Sequence, residues 1–301
     1  MKFWTVKETA ENWRVSERLV RRLCMEKRID GALNEGGFWL IPKNSKKPPR
    51  KKIENRRVNK PEPNRSAKRV AYQSKKNNHF GIYEYIQVNL TYSSNRMASN
   101  RLTRNEVMEV YRTNRITSTF EPVKVDDIIE TINHFSAVRY VIAHVMDPLT
   151  QKLIQALHSE LTYGTYADRK KKVTSGEYRS KPAKLGVAPH LIRPSLSALI
   201  KEYEGGEGTM ENILDFHARF ECIHPFEDYN GRVGRLIMLK ECLRHEVTPF
   251  IVDDKRRREY NCGIAEWGTN RERLIAVCKE AQDRYGRFLE ICKNFQYERQ
   301  E

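Results

Sequence analysis

The 301-residue sequence predicts a mainly α protein with a small β-bearing unit at its N-terminus. Two observations carry this. Apolar residues recur at helical spacing along much of the chain, as in Ile154, Leu157 and Leu161, or Leu236 to Leu243. Ahead of them, two short helical patterns and a Gly-Gly hairpin signal occupy the first 45 residues. Charge divides the chain in the same way: residues 1–80 hold 22 Lys/Arg against 8 Asp/Glu, and the remainder holds 33 against 31. The length suggests about two domains.

Composition narrows the classes. With 39% hydrophobic and 31% charged residues, the chain can bury a core and is not wholly disordered. No apolar run approaches the roughly 18 residues of a membrane span. The first residues lack the apolar stretch of a signal peptide, and the six cysteines are far apart with no CxxC pair. Reduced thiols, a cytoplasmic location and no membrane partner are the expectation.

At the front, Thr5-Val6-Lys7-Glu8 is a capping box for a short helix running to Trp13, with Val6, Ala10 and Trp13 on one face. Ser16 caps a second helix from Glu17 to about Lys27, whose apolar face is Leu19, Val20, Leu23 and Cys24. Asn34-Glu35-Gly36-Gly37 between apolar flanks reads as a hairpin. Two helices joined by a tight turn fit a DNA-binding pair. The segment resembles the excisionase or MerR-like winged helix-turn-helix, so residues 1–45 are assigned to such a domain. Residues 46–78, basic and proline-bearing, read as a poorly ordered linker whose charge could add phosphate contacts. DNA is therefore an expected partner of residues 1–78.

The sharpest signal is the run His224-Pro225-Phe226-Glu227-Asp228-Tyr229-Asn230-Gly231-Arg232-Val233-Gly234-Arg235. A helix starting near Asn230 offers free amides, and Arg232 and Arg235, three apart, fall on one face of its first turn. Asp228 is a candidate Mg2+ ligand beside phosphates, and His224 a candidate base. Base, metal carboxylate and phosphate cradle within twelve residues point to phosphoryl or nucleotidyl transfer.

This run resembles the Fic (filamentation induced by cAMP) signature HPFx[D/E]GNGRxxR, departing from it only at Tyr229, where Gly is usual. The resemblance implies a helical Fic domain over residues 79–301 with a small β-hairpin flap. It also implies ATP and Mg2+ as cofactors, and transfer of AMP to a Ser, Thr or Tyr hydroxyl of a protein target, the protein itself included. By position, His224 would be the general base, Asp228 the metal ligand, Asn230 and Gly231 part of the anion hole, and Arg232 and Arg235 phosphate ligands. Phe226 reads as a packing anchor. Tyr229 would be tolerated at negative φ. The flap is expected between Gly176 and His190. Ile128, Ile132, Phe135, Ile142 and Val145 are read as a core face, with His134, His144 and His158 structural. Members often pair, so a homodimer is among the implied partners.

Many Fic proteins carry an inhibitory helix with the motif [S/T]xxxE[G/N]. Here Ser94 aligns with its first position, and Ala98 stands where Glu is expected. The helix, over about residues 82–100, precedes the core. The resemblance thus implies an N-terminal brake without its acid, a de-inhibited form produced by engineering or by natural divergence. Two alternatives stay open: a Fic variant transferring UMP, phosphate or phosphocholine, and a DNA-binding regulator whose Fic part senses nucleotide.

Overall fold

The structure is a computed structural model that describes residues 3–25, 28–35, 38–49, 62–76, 81–117 and 122–297. It divides into two units, Met1–Asn59 and Lys60–Glu301. Among the described residues, no helix is long and apolar enough to cross a membrane.

In the first unit, strand β1 (Phe3–Trp4) leads into helices α1 (Val6–Trp13) and α2 (Glu17–Met25), then strands β2 (Leu33–Glu35) and β3 (Phe38–Pro42). The Thr5 capping box forms: the Thr5 amide donates to Glu8 Oε2 at 2.7 Å, and the Glu8 amide to Thr5 Oγ1 at 3.2 Å. Arg14, at φ 50°, ends α1 and makes the turn. β2 and β3 pair antiparallel, with Leu33 opposite Leu40 and Asn34 opposite Trp39, so the hairpin forms; Gly36 and Gly37 at its centre lie outside the described residues. The sequence did not signal β1, which pairs with β3 on its other edge. Val6, Ala10, Val20, Leu23, Cys24, Ile29 and Ile41 form the unit's own core.

The second unit is helical. Its helices are α3 (Arg65–Lys76), α4 (Ile82–Met97), α5 (Arg104–Thr113), α6 (Val125–Ala143), α7 (Gln151–Thr162), the single turn α8 (Tyr166–Arg169), α9 (Ile192–Glu204), α10 (Met210–Ile223), α11 (Asn230–Arg244), α12 (Arg257–Ala265) and α13 (Glu272–Tyr297). The axis is α11, which packs against α4, α6, α7 and α10 and is buried on nearly every side. That burial takes in Lys240 and Glu241. Lys240 Nζ donates to Glu241 Oε1 at 2.7 Å and to the Asp147 carbonyl at 2.6 Å, and the Tyr203 hydroxyl donates to Glu241 Oε2 at 3.1 Å. A buried pair is tolerated only with such additional bonds.

Three expectations need correction. Residues 65–76, within the segment read as linker, form α3. Asn64 caps it, accepting from the Ala67 amide at 2.9 Å, and donates to the Leu243 carbonyl at 2.7 Å. Ala67 and Val70 join the core. Five basic residues between 65 and 76 mask this short apolar stripe in the composition. On α6, Ile132 is exposed; the buried stripe instead runs through Asp127, Thr131, His134, Val138 and Val141, with Phe135 and Ile142 beside it. The helix is rotated so that polar Thr131 and His134 point inward, where the Thr91 hydroxyl meets His134 Nδ1 at 2.9 Å. Finally, residues 176–188 form no strand. They are a turn-rich segment leading into a 3-10 turn at Pro189–Leu191, held to the chain around His224 by the Arg179 side chain and by two isolated backbone bonds, from the Arg179 amide to the Pro225 carbonyl and from the Val187 amide to the Ile223 carbonyl, instead of by a ladder.

Candidate active site

The twelve-residue run folds as a loop between α10 and α11. His224 ends α10 in the left-handed region at φ 51°, its amide still donating to the Phe220 carbonyl at 3.1 Å. A non-glycine residue there is strained by about 1–2 kcal/mol, and neighbouring bonds hold it. Arg179, itself buried, donates from Nε to the His224 carbonyl at 2.7 Å and from its amide to the Pro225 carbonyl at 2.9 Å. Its remaining guanidinium nitrogens bind the Lys181 and Val187 carbonyls. Gly186, at φ 106°, lies so close that a Cβ would come 2.7 Å from His224 Cβ. Only glycine fits this approach. Arg179 therefore ties the 176–188 segment to the His224 backbone.

The His224 ring is half-buried. Burial, and then the charge of Arg179, lower its pKa below 6.5, while a bond to the Glu221 carbonyl opposes them. The imidazole is accordingly neutral at pH 7 and can accept a proton.

Phe226 is fully buried, its ring stacked on His158 at 3.9 Å, and His158 Nδ1 accepts the Gly176 amide at 3.0 Å. His158 is thus structural, its pKa lowered to about 4 mainly by burial. The Asn230 side chain closes on the same loop: Oδ1 accepts the Phe226 amide and Nδ2 donates to the Phe226 carbonyl, each at 2.9 Å. Its amide group is committed to shaping the loop. Gly231 lets Arg235 lie over the start of α11, since a Cβ there would come 3.0 Å from Arg235 Nη1.

Tyr229 has φ 68°, not the negative value expected, and precedes the first residue of α11. Its side chain accounts for this. The ring is buried and lies 3.4 Å from the Arg232 guanidinium, and its hydroxyl donates to Glu130 Oε1 at 2.8 Å.

Arg232 and Arg235 lie three residues apart in the first two turns of α11 but do not share their surroundings. Arg232 is 3% exposed, with Nη1 3.1 Å from Glu130 Oε1 and Nη2 3.7 Å from Asp228 Oδ1. The Glu130 contact is close but poorly aligned, and Nε and Nη1 have no hydrogen-bond partner among the described residues. Arg235 donates from Nε to Ser94 Oγ at 3.0 Å and from Nη2 to the Ser94 carbonyl at 3.1 Å, with Tyr260 beside it. Ser94 lies near the end of α4, and Ala98 caps that helix, contributing no charge. The Asp228 side chain is 62% exposed; its Oδ1 accepts the Tyr229 amide at 2.6 Å. One exposed carboxylate beside Arg232 fits a mode in which Mg2+ is held by one or two carboxylates and the substrate's phosphates. Among the described residues no group of three or more His, Cys, Asp or Glu side chains that could hold a metal is found.

The structure thus brings His224, Asp228, Asn230, Gly231, Arg232, Arg235 and Ser94 around the N-terminus of α11. Sequence reasoning missed Glu130, the anchoring role of Arg179, and Glu221. Glu130 stands on α6 with no motif around it, and Arg179 was visible only as part of an expected hairpin.

Comparison with known proteins bears on family and fold. Residues 148–242 match the Fic/DOC family. A probable protein adenylyltransferase of Aquifex aeolicus is 39% identical over 59 residues, which is 19% of this chain and only 18% of that protein's length. Among solved structures, a Fic domain containing signaling protein from Bacteroides thetaiotaomicron superposes with a TM-score of 0.59 at 17% identity, over 75% of this chain and 95% of that one. Fic-1 from C. elegans gives a TM-score of 0.59 at 17% identity over 76% of this chain and 72% of that one. A Fic family protein from Desulfovibrio desulfuricans gives 0.56 at 17%, over 75% and 72%. At these identities the likeness shows the fold alone, and the family match supplies the rest: residues 148–242, ending within α11, form a Fic/DOC family domain.

Proposed function

We propose that the protein is an adenylyltransferase that moves AMP from ATP to a hydroxyl of a protein target. The observation that carries this is Arg232: a buried cation at a helix N-terminus, with two N–H groups lacking acceptors, in the same twelve-residue run as a neutral, half-buried histidine. Beside its ion pair with Glu130, Arg232 keeps buried N–H groups without aligned acceptors, which is costly, and an anion arriving at that point relieves it. The nucleotide's phosphates would lie against the first amides of α11, with Arg232 and Arg235 supporting them. His224 takes the proton of the incoming Ser, Thr or Tyr hydroxyl. The oxygen forms a bond to the α-phosphorus as the bond to the bridging oxygen breaks, and pyrophosphate leaves. Asp228 would hold Mg2+, which supplies neutralisation of phosphate charge when bound.

In this reading α4 is the inhibitory helix. Ser94 still binds Arg235, but Ala98 supplies no carboxylate to compete with phosphate, so the enzyme is de-inhibited. The test is transfer of label from α-labelled ATP to the purified protein and to a lysate, beside His224→Ala. Label that needs His224 is the expected result. Label from the γ-phosphate or from UTP instead would make it a different transferase.

A second reading concerns the first unit, where residues 1–59 carry 16 Lys/Arg against 7 Asp/Glu and build two helices with a hairpin. That charge supports DNA binding. Filter binding across a salt series should show a steep slope that disappears on deleting residues 1–59, a cut that spares α3. Equal binding by the truncated chain would refute it.

A further inference from the structure

Tyr229 occupies a backbone position that suits glycine, at φ 68°. Such a conformation is strained for a non-glycine residue, so the side chain must contribute something that glycine does not. Its hydroxyl donates to Glu130 Oε1 at 2.8 Å, and this is the same oxygen that Arg232 Nη1 approaches at 3.1 Å. The other Glu130 oxygen accepts from Asn100 Nδ2 at 3.3 Å. Both oxygens of the nearest carboxylate thus accept hydrogen bonds from neutral donors, and the Arg232 ion pair with Oε1 lacks an aligned hydrogen bond. The Tyr229 ring meanwhile lies 3.4 Å from the guanidinium and meets the His158 ring edge-on at 6.1 Å, which fixes its plane. Arg232 is held by a face, and its Nε and Nη1 remain without hydrogen-bond partners among the described residues.

We propose that Tyr229 is a positioning residue: it occupies Glu130 through its hydroxyl and braces Arg232 through its ring, so that the arginine's N–H groups are left for a phosphate. The proposal rests on the adenylyltransferase reading for the identity of that phosphate, but not for its existence. Without the hydroxyl, Glu130 Oε1, already 3.1 Å from Arg232 Nη1, is free to align a hydrogen bond with it and competes with the incoming anion.

Three variants of the full chain test it: Tyr229→Phe, Glu130→Gln and the double substitution. Each is titrated calorimetrically with Mg-ATP and with inorganic tripolyphosphate, and its thermal midpoint is recorded. Tyr229→Phe should weaken both ligands about tenfold, the loss expected when a charged hydrogen bond is diverted. It should raise KM for ATP about as much while leaving kcat nearly unchanged. The double variant should return to within about twofold of the parent, because Gln has no charge with which to neutralise Arg232. Glu130→Gln alone should bind as well as the parent or a few-fold tighter, which also covers the case in which Tyr229→Phe does not fold. Unchanged affinity in Tyr229→Phe, no recovery in the double variant, or a tenfold loss in Glu130→Gln would each overturn the proposal. Binding of tripolyphosphate but not ATP by the parent would sink the adenylyltransferase reading and leave the proposal to be judged on tripolyphosphate. Binding of neither ligand would sink both.

Discussion

At the start of α11, Arg232 faces Glu130 and Asp228; one turn on, Arg235 faces the Ser94 hydroxyl and carbonyl and the Tyr260 phenol. Both are buried, and both belong to one helix N-terminus. A cation near a carboxylate is a poor anion receptor unless the carboxylate is occupied, and a cation away from any carboxylate is a good receptor but costly to bury. The molecule uses one solution on each side. At Arg232 the acid is present and engaged by Tyr229. At Arg235 the acid expected from α4 is replaced by Ala98, and the carboxyl that remains, Glu221, is raised by burial to about 7. The desolvation cost appears in Arg235 itself, whose pKa burial lowers.

The harshest way to break this comparison is to remove Arg235, the arginine that receives no carboxylate from α4. Arg235→Ala should reduce kcat/KM for label transfer by about two to three orders of magnitude, as removing a preorganised donor to a developing charge does. It should also lower the thermal midpoint, since α4 loses both bonds to Arg235. Transfer within a few-fold of the parent would end the case for Arg235 as a phosphate ligand.

Ala98→Glu makes the two sides alike by giving Arg235 a carboxylate. ATP affinity should fall about tenfold or more, because an opposite charge within a few ångströms neutralises the guanidinium before phosphate arrives. Thermal stability should rise, since the new ion pair compensates a buried cation. Isothermal titration and a melting curve check both. If affinity is untouched, residue 98 does not reach Arg235 and α4 is not a brake.

What the sequence made legible follows from how local each signal is. The signature run was readable because its parts lie within twelve residues, and Ser94 because a short motif marks it. The helical fold was readable from spacing, as in Ile154, Leu157 and Leu161, all buried on α7. The Tyr229–Glu130 bond spans 99 positions and the Arg179–His224 bond 45, so no window of sequence contains either pair. The conformation of Tyr229 was misjudged for the same reason: its partner on α6 supplies the contacts that a local rule about glycine leaves out. In α3, a real apolar stripe was outweighed by the charge of the same residues, because composition sums over faces that the helix separates.

The smallest expected effect concerns Glu221, the acid that remains on the Arg235 side. Its Oε1 is buried without a hydrogen-bond partner among the described residues, 3.1 Å from where a Cβ on Gly234 would stand, with His217 Nδ1 2.5 Å from the same point. His217 is held neutral by burial, at about 3, and burial pushes the Tyr260 phenol well above its usual range. Of the groups around Arg235, Glu221 is therefore the one that changes charge between pH 6 and 8. Below about 7 its carboxyl is protonated and Arg235 keeps its full charge; above it, a carboxylate forms beside the guanidinium. Phosphate affinity should fall by about three- to fivefold across that interval, less than for Ala98→Glu because half of the titration lies on either side of neutrality. Binding should be measured instead of transfer, since His224 adds its own loss of rate at a pH below 6.5. The γ-phosphate of ATP also ionises near neutrality, so the informative quantity is the difference between the parent and Glu221→Gln. The variant should lose the alkaline weakening and keep the parent's acid-side affinity. Parallel pH curves for the two proteins would mean that Glu221 does not act on Arg235, and that the Arg235 side of the cradle is free of carboxylate influence at every pH.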